Sequence, residues 1–255
     1  MRIMKQYLIP LLAIIFASIV VFIIVQILVI RFNGSPVPVP DIPRDIQSVG
    51  SGEPLSYAIM GDSTAISQGS KYEEGFAAAS VKHLAANYAV RAINTGISGA
   101  TTEEIKDDQL KSVLSFRPDI VLLAAGANDT THFTRSEVTE KSVQFIIDEL
   151  KKVNPQVQII VTASPAMDSV TRFPDGAKQL MGLRYRQVNT VFERLISKNN
   201  LIHAPIAEKT RDAFIADPTL TAADNFHPNA RGYALWIPVI NQALDEATNS
   251  IKSNP

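Results

Sequence analysis

The stretch Leu55-Ser56-Tyr57-Ala58-Ile59-Met60-Gly61-Asp62-Ser63 decides how the rest of the chain is read. Six mostly apolar residues closed by a glycine form a strand-like run, and a short polar turn follows at once. Similar runs recur at Val90–Ile97, Asp119–Ala125, Val157–Thr162 and Leu201–Ile206. Between them lie segments with apolar residues at helical spacing. These are Tyr72–Tyr88, Thr102–Phe116 with Thr101 or Thr102 as N-cap, Ser136–Val153 and about Ala177–Lys198, and a last helix runs from about Pro228 to Ile251. Val157–Thr162 is nearly all apolar and β-branched, as in a strand buried on both faces. Five strands alternating with helices predict a parallel sheet covered on both sides, built by right-handed crossovers. Chemistry in such sheets collects in the loops after the strand C-termini, near the switch in strand order.

Upstream of this unit the composition changes. Leu8–Ile30 is a 23-residue run without charge, interrupted only by Pro10, Ser18 and Gln26. As a helix it would span ~34 Å, enough for a ~30 Å hydrocarbon layer. It is longer than the ~7–15 apolar residues of a cleaved leader, and no Ala-x-Ala pattern follows it, so we expect an uncleaved anchor. Arg2, Lys5 and the amino terminus precede the run and Arg31 and Arg44 follow it, a lean towards a cytoplasmic N-terminus with the large C-terminal part outside the cytoplasm. Asn33 to about Glu53 carries Pro36, Pro38, Pro40 and Pro43 with Gly34, Gly50 and Gly52, which reads as a semi-rigid spacer. The expected organisation is a tail (1–7), a transmembrane helix (8–30), a linker (31–53) and one folded domain (54–255).

Charge and composition exclude several classes. The chain has 24 basic and 25 acidic residues, which disfavours nucleic acid as a partner. With no cysteine there is no disulfide framework, thiolate metal site, cysteine nucleophile or lipid attachment through an N-terminal cysteine. No His/Asp/Glu set has metal-ligand spacing, and neither a metal nor a cofactor is expected.

Four polar, turn-forming clusters fall at strand ends: Gly61-Asp62-Ser63, Asn94 to Thr101, Gly126-Ala127-Asn128-Asp129 and Asp224-Asn225-Phe226-His227-Pro228. A serine nucleophile needs an imidazole base, and the base needs a carboxylate to hold its tautomer. Asp224 lies three residues before His227, so it can fold back onto Nδ1 and leave Nε2 facing a crevice. Pro228 biases His227 away from helical backbone and starts the last helix. The backbone N–H groups of Ser63 and Gly99 and the side-chain amide of Asn128 are the natural donors to an oxyanion. Asp62 and Asp129 read as scaffold, Ser98 as a lesser rival nucleophile, and His132 as a loop residue. His83 and His203 read as core or surface residues. Met167, Phe173, Met181, Phe214 and Phe226 are candidates for walls of an acyl pocket, although core packing explains them equally well.

In these blocks the sequence resembles the SGNH (GDSL-type) hydrolases, a family of serine esterases and lipases, over roughly Leu55 to Ala247. Gly-Asp-Ser matches at Ser63, Ser-Gly at Gly99, Gly-x-Asn-Asp at Asn128 and Asp-x-x-His at Asp224 and His227. The resemblance implies a flavodoxin-like three-layer α/β/α sandwich and an acyl-enzyme mechanism. Ser63, His227 and Asp224 would form the triad, and Ser63, Gly99 and Asn128 the oxyanion hole. Thr64 and Ala65 stand where many members carry an aliphatic residue, which leaves the subgroup and substrate open. No Gly-x-Ser-x-Gly elbow occurs, which disfavours the α/β-hydrolase form of this chemistry. The expected substrate is a small-molecule, lipid or glycan ester. A lipase or lysophospholipase competes with a carbohydrate or cell-wall O-acetyl esterase and with acyl transfer, and a retired, non-catalytic binding module is the reading from another class.

Overall fold

A computed structural model describes residues 2–253. The strands are β1 (Asp45–Val49), β2 (Glu53–Gly61), β3 (Tyr88–Asn94), β4 (Ile120–Ala124), β5 (Gln158–Val161) and β6 (Ile202–His203). The helices are α1 (Arg2–Phe32), α2 (Phe76–Ala85), α3 (Thr102–Glu104), α4 (Leu110–Phe116), α5 (Ala127–Thr131), α6 (Ser136–Val153), α7 (Asp175–Asn199), α8 (Ile206–Ala216) and α9 (Ala230–Ser253).

The sheet has six strands in the order β1-β3-β2-β4-β5-β6. Strands β2 to β6 pair in parallel, as the alternation predicts. The expected count of five is corrected by β1, which pairs antiparallel with β3 at one edge. It comes from the stretch read as spacer: the prolines end at Pro43, and the largely exposed Asp45–Val49 lacks the apolar density of a central strand. A second correction is α8, between β6 and the Asp224 loop. Its buried residues Ile206, Ala207, Thr210 and Phe214 make too sparse a stripe to stand out by period. The expected helix over Tyr72–Tyr88 is a single turn at Tyr72–Glu74 followed by α2, parted at Gly75. Thr101 is the N-cap of α3, in a capping box with Glu104.

Side chains of β2, β4 and β5 alternate between the two faces of the sheet. Tyr57, Ile59, Leu122 and Ile160 pack with Phe76 of α2, Phe214 of α8 and Trp236 and Leu244 of α9. Ala58, Met60, Val121 and Val161 pack with Val113 of α4, Ile146 and Leu150 of α6 and Phe192 of α7. The result is a three-layer α/β/α sandwich. Strand order reverses between β2 and β4, which lie side by side with β3 on the far side of β2. The loops after β2 and β4 therefore open into the switch-point crevice.

Candidate active site

Ser63 lies two residues beyond the last residue of β2, in a tight turn closed by Asp62. Asp62 Oδ1 accepts from the Thr64 N–H (2.8 Å) and from Thr64 Oγ1 (2.8 Å). Burial, only partly offset by these bonds, pushes the Asp62 carboxyl up to about 6.

The imidazole arrives from the other end of the domain. The loop Ala222–His227 closes on itself, with Ala222 N–H donating to the His227 carbonyl (2.8 Å). Asp224 Oδ1 accepts from the N–H groups of Phe226 and His227 (3.0 Å each), and Oδ2 lies 2.6 Å from His227 Nδ1. One carboxylate thus folds the loop and orients the ring. Burial would raise the Asp224 pKa, but the His227 hydrogen bond and the backbone donors outweigh it and hold the group below its ordinary value. An ionised carboxylate only accepts, so Nδ1 carries the proton and Nε2 presents its lone pair. Nε2 is 2.8 Å from Ser63 Oγ. Ser63, Asp224 and His227 are each at least nine-tenths buried.

Gly99 and Asn128 border the same open crevice as Ser63 and His227. Gly99 has φ 82° with open space where a Cβ would stand, so the backbone conformation itself, not crowding, selects glycine there. Among the described residues, the N–H groups of Ser63 and Gly99 have no protein acceptor. Asn128 Nδ2 donates one hydrogen to the Ala100 carbonyl (3.1 Å), which fixes the amide plane and leaves its other hydrogen for a ligand.

Around this centre the remaining sequence candidates sort themselves. Asp129 is fully buried and accepts from Thr102 N–H (3.0 Å), Thr102 Oγ1 (2.7 Å) and Thr139 Oγ1 (3.0 Å), tying α5 to α3 and α6. Ser98 donates to Gln68 Oε1 (2.6 Å) rather than to a base. His132 is exposed on the crevice rim, and His83 pairs with Asp245 on the surface (2.7 Å). Met167, Phe214 and Phe226, with Val170 and Trp236, line a narrow apolar cleft that starts at Ser63. Phe173 and Met181 line the wider crevice.

Three supports escaped the sequence reading. Gln109 clamps Gly61 from both sides, with Gly61 N–H donating to Oε1 (2.9 Å) and Nε2 donating to the Gly61 carbonyl (2.8 Å). Tyr233 Oη donates to the Gln68 carbonyl (2.8 Å), and Gln68 in turn receives Ser98, so the Ser63 and Gly99 loops are joined. A buried glutamine inside an otherwise apolar helix face was the one available signal for Gln109.

A family model described as the GDSL-like lipase/acylhydrolase family matches residues 59–235. The fold is similar to a GDSL-like lipase from Parabacteroides merdae (TM-score 0.65, 18% identity, covering 78% of this chain and 99% of that one). It is also similar to a catalytic mutant of an acetylxylan esterase from Geobacillus stearothermophilus (0.62, 19%, 78% and 96%). A phospholipase A1 from Streptomyces albidoflavus shares it too (0.58, 16%, 74% and 99%). No curated protein matches the chain significantly.

Proposed function

The chain belongs to the GDSL-like lipase/acylhydrolase family and is a carboxylic ester hydrolase, and from that premise we propose that it works through a Ser63–His227–Asp224 triad and an acyl-enzyme. His227 Nε2 takes the proton as Ser63 Oγ attacks the ester carbonyl, and returns it to the departing alcohol. Asp224 keeps the imidazole in the Nδ1–H tautomer and stabilises its cationic form. The N–H groups of Ser63 and Gly99 and the Asn128 amide receive the oxyanion. Water, activated by the same imidazole, then releases the acid. The apolar cleft at Ser63 accommodates the acyl group, and the wider crevice receives the rest of the substrate.

The observation that carries this reading is the continuous chain of short contacts from Asp224 through His227 to Ser63. It extends to the whole chain as a folded domain that includes the edge strand at Asp45–Val49, held by a membrane helix over 8–30, which is apolar and long enough to span. Ser63→Ala tests it. Turnover of p-nitrophenyl butyrate should vanish while the circular dichroism spectrum stays unchanged, and retained turnover removes Ser63 from the mechanism.

A further inference from the structure

The N-terminal helix does not end in a free tether. Asn33, the first residue after α1, donates from Nδ2 to the carbonyls of Thr171 (2.9 Å) and Arg172 (3.0 Å). Its Oδ1 accepts from Asn225 Nδ2 (2.8 Å). Ser35 N–H donates to the Ala223 carbonyl (2.7 Å). Residues 33–35 therefore hold both neighbours of Asp224. Between these two pins Gly34, at φ 103°, passes so close that a Cβ would lie 2.5 Å from the Asp224 carbonyl. Arg172 Nε donates to the Ile30 carbonyl (3.1 Å), in the last helical turn, where carbonyls have no partner within the helix.

The contact continues down the helix. Gly176, near the start of α7, lies so close to α1 that a methyl group there would come within 3.1 Å of the Phe22 ring. Ile30 itself forms part of the wall of the open crevice, together with Ser63, Gly99 and Asn128.

Helix length says where this contact sits relative to a bilayer. The uncharged run Leu8–Ile30 has 23 residues, or ~34 Å against ~30 Å of hydrocarbon. About three residues are in excess, and Arg31 is the first charged side chain beyond the run. The excess is then Leu28–Ile30, the end of the docked stretch that begins at Phe22. Ile30, the last of them, lies ~4.5 Å outside the hydrocarbon edge. Around the crevice, Ile97 and Phe133 expose 40% and 51% of their surface, and Arg31, just beyond the uncharged run, and Arg172, on the crevice wall, are cations suited to lipid phosphates.

We propose that the emerging end of α1 is a wall of the active site. It holds the crevice against the bilayer surface, so that the substrate is an amphiphilic ester lying in the adjacent leaflet, its chains in the hydrocarbon and its ester at headgroup depth. This rests on the hydrolase reading above.

The absence of cysteine allows single fluorophores to be placed without background. The full chain, reconstituted in phosphatidylcholine vesicles, is labelled at Phe133→Cys on the rim or at Gln156→Cys, which precedes β5 at the opposite pole. Lipid carrying a headgroup nitroxide should quench the first label strongly and the second weakly; equal quenching overturns the proposal whatever the activity. Unlabelled protein is then given a fluorogenic phosphatidylcholine ester in its own vesicles or in separate ones, with p-nitrophenyl butyrate as a soluble reference. Hydrolysis in the shared vesicles should be about tenfold faster or more, through effective concentration. Turnover of the soluble ester without the embedded one refutes the leaflet substrate and leaves the hydrolase reading intact. Turnover of neither removes both.

Discussion

His227 Nε2 stands 2.8 Å from Ser63 Oγ although 164 positions of chain separate the two residues. The meeting depends on three things built from different parts of the chain. The turn after β2 presents Ser63, the self-closed Asp224 loop presents His227, and the Tyr233–Gln68 bond ties the last helix to the nucleophile loop.

Asp224→Asn should lower kcat by about 10³–10⁴ while KM changes little, because an amide can donate to Nδ1 and trap the wrong tautomer. In the unsubstituted protein Asp224 should add no protonation to the acid limb of the pH–rate profile. The hydrogen bonds that hold the Asp224 pKa below its ordinary value keep it ionised through that limb. A second protonation seen in kcat/KM between about pH 4 and 6, absent from Asp224→Asn, would contradict this assignment.

Asn128→Ala should reduce kcat by about 10²–10³. The buried Ala100 carbonyl also loses its donor, so urea unfolding should show a separate loss of about 1 kcal/mol. An unaltered kcat excludes the amide from oxyanion binding.

Asp62 gives a pH signature in stability. Its folded carboxyl titrates at about 6 against an unfolded value of 3.8. The folded state binds more protons between these values, so this group's contribution is fully present below about pH 4 and is lost as pH rises through about 6. The difference corresponds to roughly 3 kcal/mol. Asp62→Asn, which keeps an acceptor for Thr64, should therefore raise Tm at pH 7.5 and lose that advantage near pH 4. Parallel Tm curves for the two proteins would refute the buried-charge account.

Gln109→Ala leaves the Gly61 N–H buried without a partner and the Gly61 carbonyl with the Ile97 N–H alone (3.1 Å). It should destabilise the fold by about 2–4 kcal/mol in denaturant titration. A loss below about 1 kcal/mol would mean that water replaces the clamp.

Features with a local cause were readable from the sequence. Leu55–Met60 followed by a polar turn marked β2, and a carboxylate three residues before a His-Pro pair marked the base. Features whose cause is a distant partner were not. Asp45–Val49 becomes a strand only because β3 offers its edge, and Asn33 looks like spacer until Thr171 and Asn225 come to meet it. The short amphipathic stripe of α8 was lost for a different reason. Small and polar residues at several of its inner positions blur the helical period.

The most direct test of the central claim is covalent trapping. The full chain, treated with a fluorophosphonate and digested, should carry a single adduct on the peptide containing Ser63, and His227→Ala should react far more slowly. An adduct on Ser98, or none while the protein still hydrolyses p-nitrophenyl butyrate, would contradict the account.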